Sequence, residues 1–577
     1  MAVLEATAGG TAVYRHVRHD GAYLHQWLRG GSDGCRATMW TQERTAIAMF
    51  PLGMLSGLVV VTAAAVVGAA WSSPGWWAAV AVTVALLALA VRDVVQPRHA
   101  ILRNYPVAGH LRFLLERIRP EMQQYFIERN YDGRPFDRDI RTSIYERAKG
   151  IHSDQAFGTE RDVNAIGYEY LLHTTAPLDP APDARPPRVR IGGPECTQPY
   201  HAALLNISAM SFGSLSGNAV LAMNRGAAAG RFAHDTGEGG LTELHLRHGA
   251  DLVWEIGSGY FGARTPDGDF DPARFKYTAA LPSVRMVELK LSQGAKPGLG
   301  GILPAAKVSA EIAAARGVPA GVTCVSPPGH RVFSTPRELV LFIARMRELA
   351  GGKPAGFKLC VGSRGELLAI CRAMLAEGVT PDFIVVDGAE GGTGAAPLEY
   401  EDNVGTPLTE GLITVHNALV GVGLRDQIRI GVSGKIATGV DIVKRLAQGA
   451  DYTNAGRAMM MAVGCIQAQR CHTNTCPTGV ATQDPRRARA VDVADKGERV
   501  RRYQEATVAT ALQVMASLGC AEPSELRPSM LMRRLTHTDT RSYAELYRWL
   551  EPGELLAEPP PGWAADWSTA DPDRFRP

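Results

Sequence analysis

Apolar residues follow two different patterns along the chain. Between residues 45 and 92 they form two uncharged runs, GLVVVTAAAVVGAA and WWAAVAVTVALLALAV, which are apolar on every helical face and are separated by SSPG. From residue 203 onward they form short runs that end in glycine or small polar residues and alternate with amphipathic stretches. The first pattern predicts a pair of membrane-spanning helices, and the second predicts alternating strands and helices.

The paired apolar runs can each cross the roughly 30 Å hydrocarbon core of a bilayer. Arginines flank the pair while the turn between the runs has none, and Trp76 and Trp77 lie where an interfacial aromatic belt would be. The positive-inside rule predicts a cytoplasmic-membrane hairpin of two spans with both ends in the cytoplasm. A buried hairpin of a soluble domain is the alternative, and a signal peptide fits poorly because a second run follows.

Strand candidates beyond the Pro-rich linker predict a (β/α)8 barrel of the α/β class. Helical runs such as PRELVLFIARMRELA lie between them, as a parallel sheet wrapped by helices requires. Site residues of such a barrel lie at the C-terminal ends of the strands, with phosphate after strands seven and eight. The eight candidates are residues 203–213, 231–237, 286–293, 321–328, 355–362, 382–392, 428–434 and 451–457.

These patterns predict five regions of the chain. The barrel carries the chemistry, and the hairpin would hold it at the cytoplasmic side of the membrane. The regions are a cytoplasmic, flexible lead (1–44), the transmembrane hairpin (45–91), a helical connecting subdomain and linker (92–200), the barrel (201–484) and a helical C-terminal extension with a tail (485–577).

Composition narrows the class of protein. An apolar fraction of 46% and a charged fraction of 21% are those of a folded chain. The net charge of +3, from 61 basic and 58 acidic side chains, gives no electrostatic footprint for nucleic acid. Six of the nine cysteines are scattered without paired spacing, which favours a reducing compartment.

One glycine-rich motif resembles a dinucleotide-binding fingerprint but lacks the helix that such a site requires. GSGYFG at 257–262 matches the dinucleotide fingerprint GxGxxG, which works only where a helix follows. Here ARTPDGDFDPARF follows, so we predict a tight hairpin inserted after the second strand instead.

Three cysteines lie close together just after the eighth strand candidate, in GCIQAQRCHTNTCPTG. Thiolates at this spacing, with a proline after the last one, can wrap an iron–sulfur centre. Zinc prefers four ligands, and His472 is poorly placed to be the fourth because it is adjacent to Cys471. Cys465, Cys471 and Cys476 are therefore candidate cluster ligands, with reduced structural thiols as the alternative.

Glycines follow the last two strand candidates, in VSGK at 432–435 and AGRA at 455–458. A backbone N–H can approach a phosphate closely at such a glycine, and Arg457 adds positive charge. The pattern predicts a site for a phosphorylated flavin.

Long motifs in collinear order from about residue 207 to 484 resemble the FMN-binding domain of glutamate synthases. The stretches are SAMSFGSLS (208–216), TGEGGL (236–241), ELKLSQGAKPGLGGILP (288–304), VSPPGH (325–330), FKL (357–359), EGGTGAAP (390–397) and GCIQAQRCHTNTCPTGVATQD (464–484). With its hairpin, the chain is similar to single-chain FMN-binding glutamate synthase family proteins. The resemblance implies FMN in the barrel and a [3Fe–4S] cluster on the three cysteines.

The resemblance also implies a 2-oxoglutarate site. Family positions that bind this substrate match Lys290, Gln293, Lys296 and Arg316, and a glutamate near the substrate, able to order ammonia or an imine, matches Glu238. A dicarboxylate needs cationic partners, which makes the assignment physically reasonable. The alternatives are solvated surface cations and a loop carboxylate that caps a helix.

The FMN contacts implied by the resemblance include a lysine within an apolar strand. A cation there stabilises the negative charge of reduced flavin, and its burial requires a partner. The predicted contacts are Met210, Ser211, Lys358, Gly391, Gly392, Ser433, Gly434, Gly456 and Arg457.

The sequence departs from the family pattern at positions that affect the expected substrate and the expected electron donor. The chain begins MAVLEA, so the glutamine-hydrolysing domain with its N-terminal cysteine is not expected. Leu299, Glu390 and Lys435 differ from the larger enzymes and affect substrate identity more than cofactor identity. We find no convincing NAD- or FAD-binding motif in the sequence. The electron donor is therefore expected to be a ferredoxin-like protein, a reductase or a membrane pool.

The resulting hypothesis is reductive amination of 2-oxoglutarate to L-glutamate with free ammonia or an amino group from a partner, which is ammonia assimilation. One alternative uses an amine such as methylamine and makes an N-substituted glutamate. Another is a membrane redox relay without 2-oxoglutarate turnover, and a third is a structural barrel without cofactors. A homo-oligomer is left open.

Overall fold

The computed structural model describes residues 33–151, 154–179 and 186–576, with side chains from residue 51 onward. The predicted flexible lead falls largely outside these residues. The chain divides into two compact units, Met1–Ile127 and Glu128–Pro577.

The first unit is helical. Pro51–Trp71 and Trp76–Val95 each have a mean hydropathy of 2.2, and only 6% and 11% of these segments are buried. By length and composition both can cross a membrane, and their exposure distinguishes them from core helices of a soluble domain. The helices are α1 (Asp33–Trp71), α2 (Trp76–Val95), α3 (Ala100–Asn104), α4 (Gly109–Met122) and a π-helical turn at Gln123–Ile127.

The second unit begins with a helix and three short strands: α5 (Arg138–Lys149), β1 (Glu169–Leu171), β2 (Arg188–Ile191) and β3 (Tyr200–Ala203). The next strands are β4 (Leu205–Ile207), β5 (His234–Asp235), β6 (Leu252–Ile256), β7 (Val284–Lys290), β8 (Ile302–Leu303), β9 (Cys324–Val325), β10 (Ala355–Leu359), β11 (Phe383–Asp387), β12 (Arg429–Ser433) and β13 (Tyr452–Ala455).

All of these later strands except β8 and β9 close into a parallel barrel in the order β4-β5-β6-β7-β10-β11-β12-β13. The predicted (β/α)8 barrel is confirmed. The helices between its strands are α6 (Gly217–Gly230), α7 (Glu243–Leu246), α8 (Pro272–Ala279), α9 (Ala310–Arg316), α10 (Pro336–Leu349), α11 (Arg364–Glu377), α12 (Leu398–Asn403), α13 (Leu408–Gly421), α14 (Gly439–Ala447) and α15 (Arg457–Val463).

One predicted strand was wrong and one was missed. Residues 321–328 contribute only β9, which pairs antiparallel with β8 outside the barrel. The third barrel strand is instead β6, LVWEI, whose register pairs Glu255 with Glu288 of β7. The error arose because short apolar runs do not show which strands pair in the barrel, since pairing is set by long-range register. GSGYFG consequently follows the third strand, and α8 begins only at Pro272.

Local signals define where the outer helices begin. At the start of α10, Thr335 and Glu338 form a capping box and Pro336 occupies the first turn. Thr438 and Asp441 do the same for α14. The strands have helices on one face and the barrel interior on the other, so they read as continuous apolar runs.

The C-terminal extension packs on the barrel. Its long helix α17 contacts α5, α6 and α14, and β1, β14 and β15 form a separate antiparallel sheet. These elements are α16 (Pro485–Ala488), α17 (Val493–Ser517), β14 (Leu531–Arg534), β15 (Thr540–Ser542), α18 (Tyr543–Leu546), α19 (Glu554–Ala557) and α20 (Pro561–Thr569).

Candidate functional site

A cavity of about 1170 Å³ opens at the C-terminal ends of the barrel strands, where the fold predicts a site. Its lining comes from loops that are far apart in the chain, including the cysteine loop. Every predicted site residue lines it: Met210, Ser211, Glu238, Lys290, Gln293, Lys296, Arg316, Lys358, Gly391, Gly392, Ser433, Gly434, Gly456, Arg457, Cys465, Cys471 and Cys476.

Lys290, at the end of β7, is held by two polar partners. Its Nζ lies 3.0 Å from Oε1 of Glu238 and donates to Oε1 of Gln293 at 3.2 Å. The Gln293 amide in turn donates to the Gly392 carbonyl at 3.1 Å. This network joins the ends of three strands on one side of the cavity.

Glu238 stays ionised in this network. Burial alone would raise the pKa of the carboxyl, but the charge and hydrogen bond of Lys290, helped by Arg316 and Lys296, lower it below its usual value. Glu238 therefore neutralises Lys290 and leaves the other two cations without an equally close carboxylate.

Lys296 and Arg316 are buried cations that contact backbone carbonyls. Lys296 Nζ donates to the Ala395 carbonyl at 2.9 Å, and Arg316 donates to the Phe212 carbonyl at 3.2 Å. The guanidinium also lies 5.1 Å from the centre of the Phe261 ring. In the described part of the chain, neither cation has a carboxylate oxygen within 4.0 Å. Burial and the charge of Lys290 lower the pKa of Lys296, which an anionic ligand would reverse.

The ends of β12 and β13 carry a second pair of cations in the same cavity, Lys435 and Arg457. Arg457 donates to the Glu390 carbonyl at 2.5 Å and lies 5.0 Å from the centre of the Phe136 ring. Burial and the neighbouring Arg457 charge lower the pKa of Lys435. Gly434, with φ of 149°, supplies a turn that favours glycine. This chemistry fits the phosphate of a flavin, and Lys435 was not among the predicted contacts.

We refer to Lys290, Lys296, Arg316, Lys435 and Arg457 as the cationic lining. Its members come from separate strand ends, loops and helix ends, yet all line one cavity. The number of cations suits ligands with several negative charges.

Lys358 occupies the interior of the barrel on β10, as predicted, but its partners were missed. Its Nζ forms an ion pair with Glu255 of β6 and lies 3.5 Å from Glu288 of β7. Asp235 of β5 completes a set of three carboxyls whose oxygens lie within 4.8 Å of one another. The glutamates within the apolar strands VWEI and VELK were the available sequence signal.

The three cysteines lie together at the edge of the cavity as free thiols. The Gln467 N–H points at the Cys465 sulfur at 3.4 Å. Burial raises the pKa of Cys465 to about 12 and also raises that of Cys471. The burial of Cys476 is outweighed by N–H groups of Ala481 and Thr478, which lower its pKa. Thiols faced by N–H groups are a donor set that suits iron and sulfur.

The cysteine loop is braced by a residue that sequence reasoning missed. The buried Lys307 donates to the carbonyls of Ser214 at 2.7 Å and Cys471 at 3.2 Å. It therefore ties the loop after the first barrel strand to the cysteine loop.

The fold and cavity define a (β/α)8 barrel with a cation-lined cavity and a thiol loop at the ends of its strands. Residues 193–521 match the family model described as a conserved region in glutamate synthase. The chain therefore belongs to the glutamate synthase family.

Individual relatives agree with this assignment. The glutamate synthase large subunit-like protein YerD of Bacillus subtilis is 39% identical over 74% of this chain and 88% of its own length. The archaeal glutamate synthase [NADPH] of Archaeoglobus fulgidus is 36% identical over 48% of this chain, and the match spans only 51% of that protein.

Solved structures with detectable similarity include flavocytochrome b2 and mandelate oxidase. The first has a TM-score of 0.39 and 14% identity, covering 76% of this chain and 89% of that one. The second has a TM-score of 0.40 and 15% identity, covering 70% and 98%.

Proposed function

We propose that this chain reductively aminates 2-oxoglutarate to L-glutamate, using bound FMN and a [3Fe–4S] cluster. As a glutamate synthase family member it is an oxidoreductase that acts on the CH-NH2 group of donors. The amino group would come from free ammonia or from a partner. Electrons would come from a protein such as a ferredoxin-like carrier or a reductase, or from a membrane pool.

One observation carries the proposal: two buried cations of the cavity, Lys296 and Arg316, lack a carboxylate partner among the described residues. A dicarboxylate brings two negative charges, which would offset the burial of these two cations. Arg316 can hold one carboxylate with two parallel hydrogen bonds, and Lys296 can neutralise the other.

Glu238 and Lys290 have a complementary role in the proposal. The ionised Glu238 carboxylate accepts hydrogen bonds, so it can orient ammonia or the N–H groups of an imine beside the bound substrate. Lys290, held by Glu238 and Gln293, is a fixed donor in the same part of the cavity. These residues bind and orient the reacting groups.

FMN would supply hydride transfer to the imine carbon, and the chain's residues bind and tune it. Lys435, Arg457 and Gly434 suit its phosphate, while Lys358 lies at the inner end of the cavity as a buried cation. Cys465, Cys471 and Cys476 would hold the iron–sulfur cluster. Each thiolate of a cluster binds its own iron, so the three sulfurs need not meet around one ion.

The two apolar helices support a membrane location with the barrel on the cytoplasmic side. The arginines that flank the hairpin would lie at the cytoplasmic surface. This arrangement would bring the barrel near a membrane electron pool.

The test is glutamate formation by the full chain, purified without oxygen in detergent, with a reduced carrier, 2-oxoglutarate and ammonium. Iron, sulfide and FMN are measured on the same sample. The double substitution Lys296→Ala with Arg316→Ala is expected to lower turnover roughly 100-fold or more, since hydrogen bonds to charged groups contribute about 1.5–3 kcal/mol each.

The matched control is Lys276→Ala, which removes an exposed cation of α8. Undiminished turnover in the double variant would show that the substrate site is assigned wrongly. Protein without iron and flavin would contradict the cofactor assignment.

A further inference from the structure

The inner end of the cavity contains more buried acid than buried base. Asp235, Glu255 and Glu288 lie on the adjacent strands β5, β6 and β7 and face Lys358 from β10. All four side chains are at most 5% exposed. We call these four residues the inner carboxyl cluster.

The surrounding charges do not balance this cluster. Lys290 is paired with Glu238, and Asp387, which accepts a hydrogen bond from Ser433, adds a further carboxylate near Lys358. Tyr452 also faces the cluster and is neutral, because burial raises its pKa well above the usual value, and Asp451 beyond it is paired with Arg425 at 2.9 Å. Three carboxyls therefore share one ammonium group, and three buried like charges cannot all be retained at this distance.

The cluster lies between two spaces. Glu255 and Lys358 line the large cavity, while Asp235 and Glu288 line a separate void of about 10 Å³ together with Asn206 and Asn454. A void of this size is close to the minimum for one water molecule, and its lining is mainly apolar, with polar atoms contributed by the two carboxyls and the two asparagines. Glu288 Oε1 lies 3.5 Å from Lys358 Nζ but makes no hydrogen bond within the described residues, as expected of an oxygen that can accept a proton.

The proton affinities agree with the geometry. Burial, followed by the charge of Glu255, raises the pKa of Asp235 to about 8. Burial raises the pKa of Glu288 well above its usual value, although Lys358 opposes the rise. Lys358 itself remains charged, because the carboxylates around it outweigh the effect of its burial.

We propose that Asp235, Glu255 and Glu288 hold one proton among them at neutral pH and take up a second when negative charge enters the cavity, releasing it when that charge leaves. This inference rests on the proposed function, which puts a flavin beside Lys358. Added negative charge would attract the ammonium group of Lys358 away from the carboxylates. The carboxylate that loses this cation would then bind a proton. One O–H bond forms between a carboxylate oxygen and a proton taken from solvent, and the same bond breaks when the proton is released. The electrons that bring the negative charge come from the reduced carrier already named.

The proton is useful to the proposed reaction. Reduction of an imine to an amine consumes two electrons and two protons, so an acid in the barrel interior can contribute to the proton supply. A carboxyl held protonated at neutral pH by like charges nearby is an established way to keep an acid ready. The cluster residues are positioning residues that act through Lys358.

Two readouts test the inference on the full-length protein. The first is the infrared carbonyl band of a protonated carboxylic acid near neutral pH, which is expected in the parent protein and weakened in Asp235→Asn or Glu288→Gln. It needs no bound flavin. The second is the midpoint potential of the bound flavin measured against pH in the holoprotein.

The potential of the parent protein is expected to fall more steeply with pH than that of Glu288→Gln. If the variant takes up one proton fewer per two electrons, its potential changes less with pH, by about 30 mV per pH unit. This is the shift that a tenfold change in concentration causes for a two-electron couple. The exposed Glu348→Gln of α10 is the matched control and should keep the parental slope.

Absence of the infrared band in the parent protein would overturn the inference, and so would an unchanged slope in both Glu288→Gln and Asp235→Asn. Neither readout requires glutamate formation. A protein that shows the band and the slope change but makes no glutamate would contradict the proposed function and leave this inference standing.

Discussion

The cationic lining and the inner carboxyl cluster lie in the same barrel but carry opposite excess charge. The cationic lining gathers five cations, of which Lys296 and Arg316 have no carboxylate oxygen within 4.0 Å among the described residues, whereas the cluster gathers three carboxyls around one lysine. Burial disfavours charge in both places. The lining is therefore suited to an anionic ligand, and the cluster is suited to a proton.

Removal of the lysine that holds the cluster should have the largest effect. Lys358→Met leaves buried carboxyls without their cation, and breaking a buried ion pair costs about 3–5 kcal/mol. We expect a marked drop in the unfolding temperature of the barrel, measured in detergent by intrinsic fluorescence. The exposed Lys276→Met is the control, and equal stability of both variants would mean that the cluster does not depend on Lys358.

Removal of one cation of the lining should affect cofactor retention more than folding. Arg457→Gln keeps a polar side chain but loses a charged donor, worth about 1.5–3 kcal/mol, or roughly 10- to 100-fold in FMN affinity. The fluorescence of FMN that dissociates on dilution measures this loss of affinity. If the variant retains FMN as well as the parent and unfolds at the same temperature, the assignment of Arg457 to the phosphate site is contradicted.

The cluster should make stability decrease with rising pH. Because the folded protein holds the Asp235 proton up to about pH 8 while an unfolded chain releases it near pH 3.8, stability from this group declines as pH rises through that window. Asp235→Asn should flatten that part of the profile. Thermal unfolding of parent and variant across the same pH series tests this, and parallel profiles would contradict it.

Glu238 should contribute the opposite sign and the smallest change. Its pKa is lowered, so its stabilising contribution is present above the usual value of 4.5 and declines as pH falls through the lowered one. Glu238→Gln should reduce the acid-side loss of stability slightly. The same thermal series tests it, and a variant with a steeper acid-side loss would show that Glu238 is not stabilised as a carboxylate.

Much of the barrel could be predicted from sequence because parallel strands buried on both faces appear as apolar runs that end in glycine. That pattern located most barrel strands and put the predicted site residues at their ends. It failed at β6, which was overlooked, and at β9, where residues of strand character pair outside the barrel. A strand's partners are set by long-range register, which local patterns do not contain.

The sequence by itself determined the two apolar helices, the barrel class, the family motifs and the spacing of Cys465, Cys471 and Cys476, because each is encoded in neighbouring residues. Tertiary structure alone decided that Lys296 and Arg316 lack carboxylate partners, and that Asp235, Glu255 and Glu288 meet around Lys358. Closure of the barrel brings side chains from distant segments within a few ångströms in a low-dielectric interior. The balance of charge there depends on distances that no local pattern specifies.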